Sequence, residues 1–114
     1  MPTRYYLRLP DASHARGGDP ELAFRSQSAE GMAAELQDAL RGDALFRRWR
    51  ARQDDPDAVD PALGKTDPGA SVQGSQHDLH AELVVTTSLP GNLLKQRLRW
   101  LAGGGWELRD VTSA

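Results

Sequence analysis

The sequence lacks cysteine and long apolar runs, and these absences exclude several classes of protein. With no cysteine among its 114 residues, the chain cannot form a disulfide, a zinc–thiolate site or a thiol nucleophile. It has no run of about 18 apolar residues that would span a bilayer, so we expect no membrane partner. The first residues, from Met1 to Tyr6, lack the apolar stretch of a secretory signal. We therefore expect a cytoplasmic protein.

Signatures of catalysis are also scarce. No Gly-x-Ser-x-Gly motif occurs, so no serine lies in a motif that would activate it. Because cysteine is absent as well, the sequence shows no candidate nucleophile. Hydrophobic residues make up 39% of the chain and aromatic residues 6%. These values fit a single domain, 1–114, whose core is modest, so that either this core suffices or a partner must help. We expect no cofactor and no metal, and the sequence does not favour an enzyme.

The charged residues change sign abruptly near the middle of the chain. Residues 41–52 carry five arginines and one aspartate, a net charge of +4, whereas residues 53–68 carry five aspartates and one lysine, a net charge of −4. The whole chain has a formal charge of −2, which argues against a domain-wide surface for polyanions. Twelve of the fourteen basic residues are arginine, a bias that a bacterial-like genome composition alone would explain.

Apolar periodicity predicts two helices. A stripe with a four-residue spacing follows Ser28, a suitable N-cap, and predicts a helix over about 29–52 with a break near Gly42. A second stripe, Leu94 to Leu101, predicts a helix that ends at the glycine run 103–105.

Alternating apolar residues predict the strands. The clearest is 78–87, where Leu79, Ala81, Leu83 and Val85 alternate with mostly polar residues. Further strands are predicted over residues 4–9, 21–27, 71–76 and 106–112. Segments 4–9 and 21–27 are expected to form a hairpin, so that the order is roughly β-β-α-β-β-α-β. We therefore predict an α+β fold, a two-layer sandwich with two helices on one face of a mainly antiparallel sheet. The ferredoxin-like split βαβ arrangement is one member of that class.

The segment 53–70 contains prolines, glycines and five aspartates. Such a composition does not support a helix or a buried strand. We predict a flexible, acidic surface loop that either screens the neighbouring arginines or exposes them.

Arginines and tryptophans on the two helices are the candidate binding residues. Aromatic residues and arginine are enriched at protein interfaces, whereas the same residue types bind phosphates and stack on bases in nucleic-acid complexes. The tentative binding set is Arg47, Arg48, Trp49, Arg50, Arg52, Lys95, Arg97, Arg99 and Trp100.

A histidine group offers the only candidate for acid–base or metal chemistry. On a strand, Asp78, His80 and Glu82 would point to one side and His77 to the other. Imidazole and carboxylate groups bind zinc and similar ions, but a polar outer strand face explains the same pattern. The sequence favours a non-enzymatic module for protein interaction or self-association, and a homodimer is one such form. The alternatives are a nucleic-acid or phosphate-ligand binder and a small enzyme or metal site around His80.

Overall fold

This computed structural model describes residues 2–114 of the chain, which contain three α-helices and four β-strands. The strands are β1 (Thr3–Leu9), β2 (Ser71–His77), β3 (His80–Thr87) and β4 (Glu107–Ser113), and the helices are α1 (Ala29–Arg41), α2 (Ala44–Ala51) and α3 (Gly91–Ala102). Short 3₁₀ turns occupy Ala12–His14, Pro56–Ala58 and Pro61–Gly64.

The strands form one antiparallel sheet in the order β2-β3-β1-β4. The chain runs from β1 through α1 and α2 to β2, and β3 lies between these two strands in the sheet. It then runs from β3 through α3 to β4, and β1 lies between that second pair. This is the split βαβ connectivity of ferredoxin-like domains. The predicted α+β class with an antiparallel sheet is confirmed, with four strands instead of five.

The helices cover one face of this sheet. Alternate residues of the two central strands are buried beneath them, namely Tyr5, Leu7, Leu9, Ala81, Leu83 and Val85. Helix α1 also covers the outer edge of β2, where Gln37 Oε1 accepts from the Val72 N–H at 3.1 Å. β4 forms the opposite edge, and all its residues are exposed. The molecule measures only 18 Å along its shortest axis, because no described element covers the second face.

The helices follow the sequence prediction closely. Ser28 caps α1 through its Oγ, which accepts from the Gly31 N–H at 3.2 Å, and Met32, Leu36 and Leu40 are fully buried. The predicted break separates α1 from α2 at Gly42. Within residues 2–114, no helix has both the length and the apolar character that crossing a membrane requires.

The predicted hairpin over residues 4–27 is wrong. β1 pairs with β3 and β4, and residues 21–27 form no strand. Leu22 and Phe24 are buried, as their spacing suggested, but the backbone around them bonds to helices instead of to a strand. The Phe24 N–H donates to the Leu101 carbonyl at 2.9 Å, and the Arg25 and Ser26 N–H groups donate to the Glu35 carboxylate.

The third strand begins later than predicted. β3 starts at His80, and the two preceding residues form the tight turn that joins it to β2. Asp78 adopts a left-handed φ of 56° there, a conformation that Asp tolerates better than most residues. Leu79 is 75% exposed and contributes nothing to the core.

The acidic segment 53–70 is anchored to the domain at several points. The Asp67 carboxylate accepts from the Thr87 hydroxyl at 2.8 Å and from the Ser88 N–H at 2.9 Å. Hydrogen bonds from Ser88 and then Thr87 lower the pKa of Asp67 below its ordinary value. Leu63 and Lys65 accept hydrogen bonds from α3 through their carbonyls. Residues 53–70 contain no α-helix and no strand, and the flexibility of the segment stays a prediction.

Candidate functional site

Two tryptophans from different helices meet at the centre of the candidate site. Trp49 on α2 and Trp100 on α3 stack with ring centroids 4.8 Å apart and planes inclined by 23°. Phe46 supports Trp49 from the preceding turn, with centroids 6.0 Å apart. Trp100 is 9% exposed, whereas Trp49 is only partly buried. The inner ring is therefore fixed by the core, and it holds the outer ring in place at the surface.

An open cleft of about 590 Å³ lies beside this stack. We call it the tryptophan cleft, and it is lined by Gly18, Asp19, Leu22, Trp49, Ala51, Arg52, Gln53, Arg99 and Trp100. Four residues of the predicted binding set, two arginines and two tryptophans, thus come together here. The cleft combines an aromatic wall with a basic rim.

The two arginines of the cleft differ in their pairing. Arg52 Nε is paired with the Asp19 carboxylate, so its charge is largely balanced within the cleft. Arg99 is exposed and has no ion-pair partner among residues 2–114. Lys95 is also exposed and lies one turn earlier on the same side of α3. The outer side of α3 therefore carries uncompensated positive charge toward the cleft.

The other arginines of α2 point away from a common surface. Arg47 pairs with Asp43 at 3.1 Å. Arg50 donates through Nε to the Pro56 carbonyl at 2.9 Å and lies 3.8 Å from the Asp57 carboxylate. Arg48 lines a separate, smaller cleft, which also contains Glu35 and Asp38. The predicted basic set is thus divided among several environments.

Arg97 is a buried structural residue and is not available at the surface. Its side chain is 0% exposed, and its guanidinium donates to the carbonyls of Leu63 and Lys65 at 2.8 Å each. It also lies over the Trp100 ring, 5.6 Å from the centroid. Nε is buried without a hydrogen-bond partner, and burial lowers the pKa of Arg97. Arg97 therefore does not belong to the surface binding set in which it was predicted. Instead, it holds the acidic loop against α3.

Residues from the loop between β1 and α1 complete the cleft, and no sequence pattern predicted them. Asp19 and Leu22 reach it because this loop packs against the end of α3, where the Gly17 N–H donates to the Leu101 carbonyl at 3.1 Å. A Cβ at Gly17 would lie 2.1 Å from the Trp100 carbonyl oxygen, so only glycine permits this approach. In the sequence, the neighbouring glycines at 17 and 18 were the one feature that indicated such a close approach of the backbone.

The histidine group is arranged differently from the predicted row. The tight turn pairs His77 with His80 across the hairpin, and their rings stack with centroids 5.1 Å apart. Glu82 lies 3.2 Å from His77 Nε2 and 3.8 Å from His80 Nε2. Asp78 lies in the turn, so the expected Asp78–His80–Glu82 row is wrong, as is the expected opposite orientation of His77.

The arrangement of this histidine group bears on the predicted metal or acid–base site around His80. Over residues 2–114, no three histidine or carboxylate side chains are grouped so that they could hold a metal ion. The three side chains lie at the tip of the β2–β3 hairpin, far along the sheet from its centre. Acid–base activity around His80 stays a prediction.

Comparison of the chain with protein-family models, with curated proteins and with solved structures gives no match. The function of this α+β domain must therefore be inferred from its own residues.

Proposed function

We propose that the protein is a non-enzymatic binding module that holds a segment of another protein in the tryptophan cleft. One observation carries this proposal: a partly exposed Trp49, supported from behind by Trp100, lies beside the unpaired Arg99 in a concave surface. Tryptophan and arginine are the residues most enriched among interface hot spots. The cytoplasmic location expected from the sequence stays a prediction.

The fixed position of Trp49 favours binding. Immobilising a side chain on association costs about 0.5–1.5 kcal/mol, and the stacking partners of Trp49 already restrict its ring. An apolar or aromatic side chain of the partner can therefore pack on a surface that needs little further ordering. The concave shape of the cleft also allows more of such a side chain to be buried than a flat surface would.

The charges of the cleft indicate what the partner carries. Arg52 is balanced by Asp19, but Arg99 and Lys95 are not balanced within the described chain. A guanidinium forms its strongest hydrogen bonds with a planar carboxylate or with phosphate. We therefore expect the bound segment to place an acidic residue next to Arg99 and an apolar residue on Trp49.

Nucleic-acid binding is the alternative at the same surface. Its affinity would come mainly from several phosphates neutralised together. The candidate arginines are spread over separate environments, and Arg97 is buried. That distribution supports the protein-binding proposal over a polyanion-binding one.

A peptide selection tests the proposal directly. A random peptide library displayed on phage is selected against the purified chain, and the affinity of the enriched peptides is measured by calorimetry. We expect an acidic residue near an aromatic or apolar one, and a loss of affinity of at least tenfold in Trp49→Leu and in Arg99→Glu. Tenfold corresponds to about 1.4 kcal/mol.

Trp106 provides the matched control. It is partly buried outside the cleft, and its indole N–H donates to the Gly103 carbonyl at 3.1 Å. Trp106→Leu should leave the peptide affinity unchanged. Selected peptides that bind Trp49→Leu and Arg99→Glu as tightly as the unmodified chain would contradict the proposal. Salt-dependent binding of a mixed-sequence RNA at the same tryptophans would support the alternative instead.

A further inference from the structure

The sheet face without helices has the character of an interface. It is formed by the residues that alternate with the core, and on the two central strands most of them are only partly exposed. We call it the bare face, and its residues are Arg4, Tyr6, Arg8, Gln73, Ser75, Glu82, Val84, Thr86, Glu107, Arg109, Asp110 and Thr112. Antiparallel sheets often leave one face in contact with solvent, and such a face can bind a partner through its apolar and charged residues.

Tyr6 and Val84 form the apolar centre of the bare face. They are directly paired across β1 and β3, and both are only partly exposed. An open depression of about 650 Å³ surrounds them and includes Arg8 and Asp110 among its lining residues. An apolar centre with a charged rim is the usual anatomy of a protein interface.

The charges of the bare face are balanced, unlike those of the tryptophan cleft. Three arginines, at 4, 8 and 109, accompany three carboxylates, at 82, 107 and 110. Arg8 and Arg109 lie 3.6 and 3.8 Å from the Glu107 carboxylate, and Glu82 lies beside His77. Arg4 and Asp110 are left over, since neither makes an ion pair within residues 2–114. Each is therefore free to pair with a group of opposite charge on a second molecule.

We infer that a second copy of this chain packs on the bare face as a twofold-symmetric dimer. Arg4 lies two residues from Tyr6 along β1, and Asp110 lies beside Tyr6 on β4. With strands about 4.8 Å apart and about 3.3 Å per residue, a twofold axis that runs parallel to the sheet, midway between the two packed sheets, and exchanges these two positions passes over Tyr6 and Val84. Symmetry then forms the Arg4–Asp110 pair twice, and each tyrosine packs on its counterpart.

The same axis leaves one contact between like charges, since Arg109, next to Asp110 on β4, comes near the partner's Arg4, but Arg109 already lies 3.8 Å from the Glu107 carboxylate. It places Glu82 over the partner's Gln73 and Arg8 near the partner's Thr86, which are uncharged positions of the face. The strands of the two sheets cross steeply, as in orthogonal sheet packings. A nucleic acid or an acidic peptide would instead meet three carboxylates on this face, so the balanced charges favour a copy of the chain as occupant.

The size of the face sets the expected strength of the dimer. Four strands of about seven residues project about 19 by 23 Å, or about 440 Å². Protruding side chains add to this area, but a standard interface buries about 800 Å² per partner. The dimer thus falls at the small end of specific interfaces, and we expect micromolar affinity.

Sedimentation equilibrium of the full chain and its variants tests the dimer. We expect a reversible monomer–dimer equilibrium for the unmodified chain. The variants Arg4→Asp, Asp110→Arg and Tyr6→Glu should each lower the affinity of the dimer at least tenfold. The charge exchange Arg4→Asp with Asp110→Arg should restore dimerisation. Recovery in this double variant cannot arise from misfolding, and circular dichroism confirms that each variant is folded.

Two controls separate this face from other surfaces. Leu108→Ser removes an apolar side chain that is 39% exposed on the helix-facing side of β4, and Trp49→Leu alters the tryptophan cleft. Neither should change the dimer affinity. The dimer proposal can therefore be refuted without refuting the peptide-binding proposal, and the peptide-binding proposal can be refuted without refuting the dimer. A monomer at all concentrations would overturn the inference, as would a dimer lost in Leu108→Ser and retained in Tyr6→Glu.

Discussion

Arg97 and Arg99 lie two residues apart on α3, and their surroundings differ completely. Arg97 belongs to the inner side of the helix, where it is fully buried and donates to two loop carbonyls. Arg99 belongs to the outer side, where it is exposed beside Trp49 and has no ion-pair partner in the described chain. Position on the helix, and not residue type, thus decides whether an arginine holds the fold or remains available for binding.

Replacing each arginine in turn should have very different effects on stability. Arg97→Ala deletes two charge-assisted hydrogen bonds and leaves a cavity, which together should cost about 3–5 kcal/mol of unfolding free energy. Arg99→Ala should change stability by no more than about 0.5 kcal/mol. Urea denaturation measures both.

Arg97→Met refines this experiment because it keeps most of the side-chain volume and removes the charge. Its cost should be smaller than that of Arg97→Ala, since both variants lose the charge and its hydrogen bonds but the methionine side chain fills most of the cavity. Equal stability of Arg97→Ala and Arg99→Ala would show that the inner arginine is not a clamp.

Two neighbouring glycines provide a second pair with opposite expectations. A Cβ at Gly17 would lie 2.1 Å from the Trp100 carbonyl oxygen, whereas a Cβ at Gly18 meets nothing within 4 Å. Gly17→Ala should therefore force the loop away from α3 and cost about 1–3 kcal/mol. Gly18→Ala should be close to neutral in the same thermal unfolding experiment, and a neutral Gly17→Ala would refute the close packing.

Acid should loosen the loop at Asp67, with an effect smaller than those above. Hydrogen bonds from Ser88 and Thr87 lower the folded-state pKa of Asp67, so its stabilisation is present above the unfolded pKa of about 3.9 and is lost as pH falls through the folded pKa. Stability should therefore decline at acidic pH, and Asp67→Asn should flatten that decline.

Hydrogen exchange provides the local readout for this prediction. Amides of residues 63–70 should lose protection in Asp67→Asn, while Asp11→Asn, at an exposed carboxylate whose pKa is also lowered, should leave them unchanged. Unaltered protection in Asp67→Asn would mean that the Asp67 carboxylate does not anchor the loop. The same profile measures the flexibility predicted for segment 53–70.

Local patterns predicted most of the fold, and contacts distant in sequence account for the errors. The stripe of α1, the break at Gly42 and the buried side of β3 depend on neighbouring residues, and each is confirmed. Leu22 and Phe24 alternate like a strand, but the Leu101 carbonyl binds the Phe24 backbone. No periodicity could reveal this partner.

The candidate site was predicted in part for the same reason. The tryptophans and arginines of the two helices were recognised by residue type, and the Trp49–Trp100 stack brings several of them together. Arg97 shares the spacing of Leu94, Leu98 and Leu101 on the inner side of α3. Its charge suggested a surface role, whereas its carbonyl partners lie more than thirty positions earlier in the chain.

On this account Arg99, on the outer side of α3, binds the partner, while Arg97, on the inner side, holds the fold. The affinity of a selected peptide for Arg99→Ala, compared with Lys95→Ala one turn away, distinguishes these two roles. We predict at least a tenfold loss for Arg99→Ala, a smaller loss for Lys95→Ala, which lies on the same side of α3 but does not line the cleft, and unaltered stability for both. Equal affinities for Arg99→Ala and the unmodified chain would contradict the proposal.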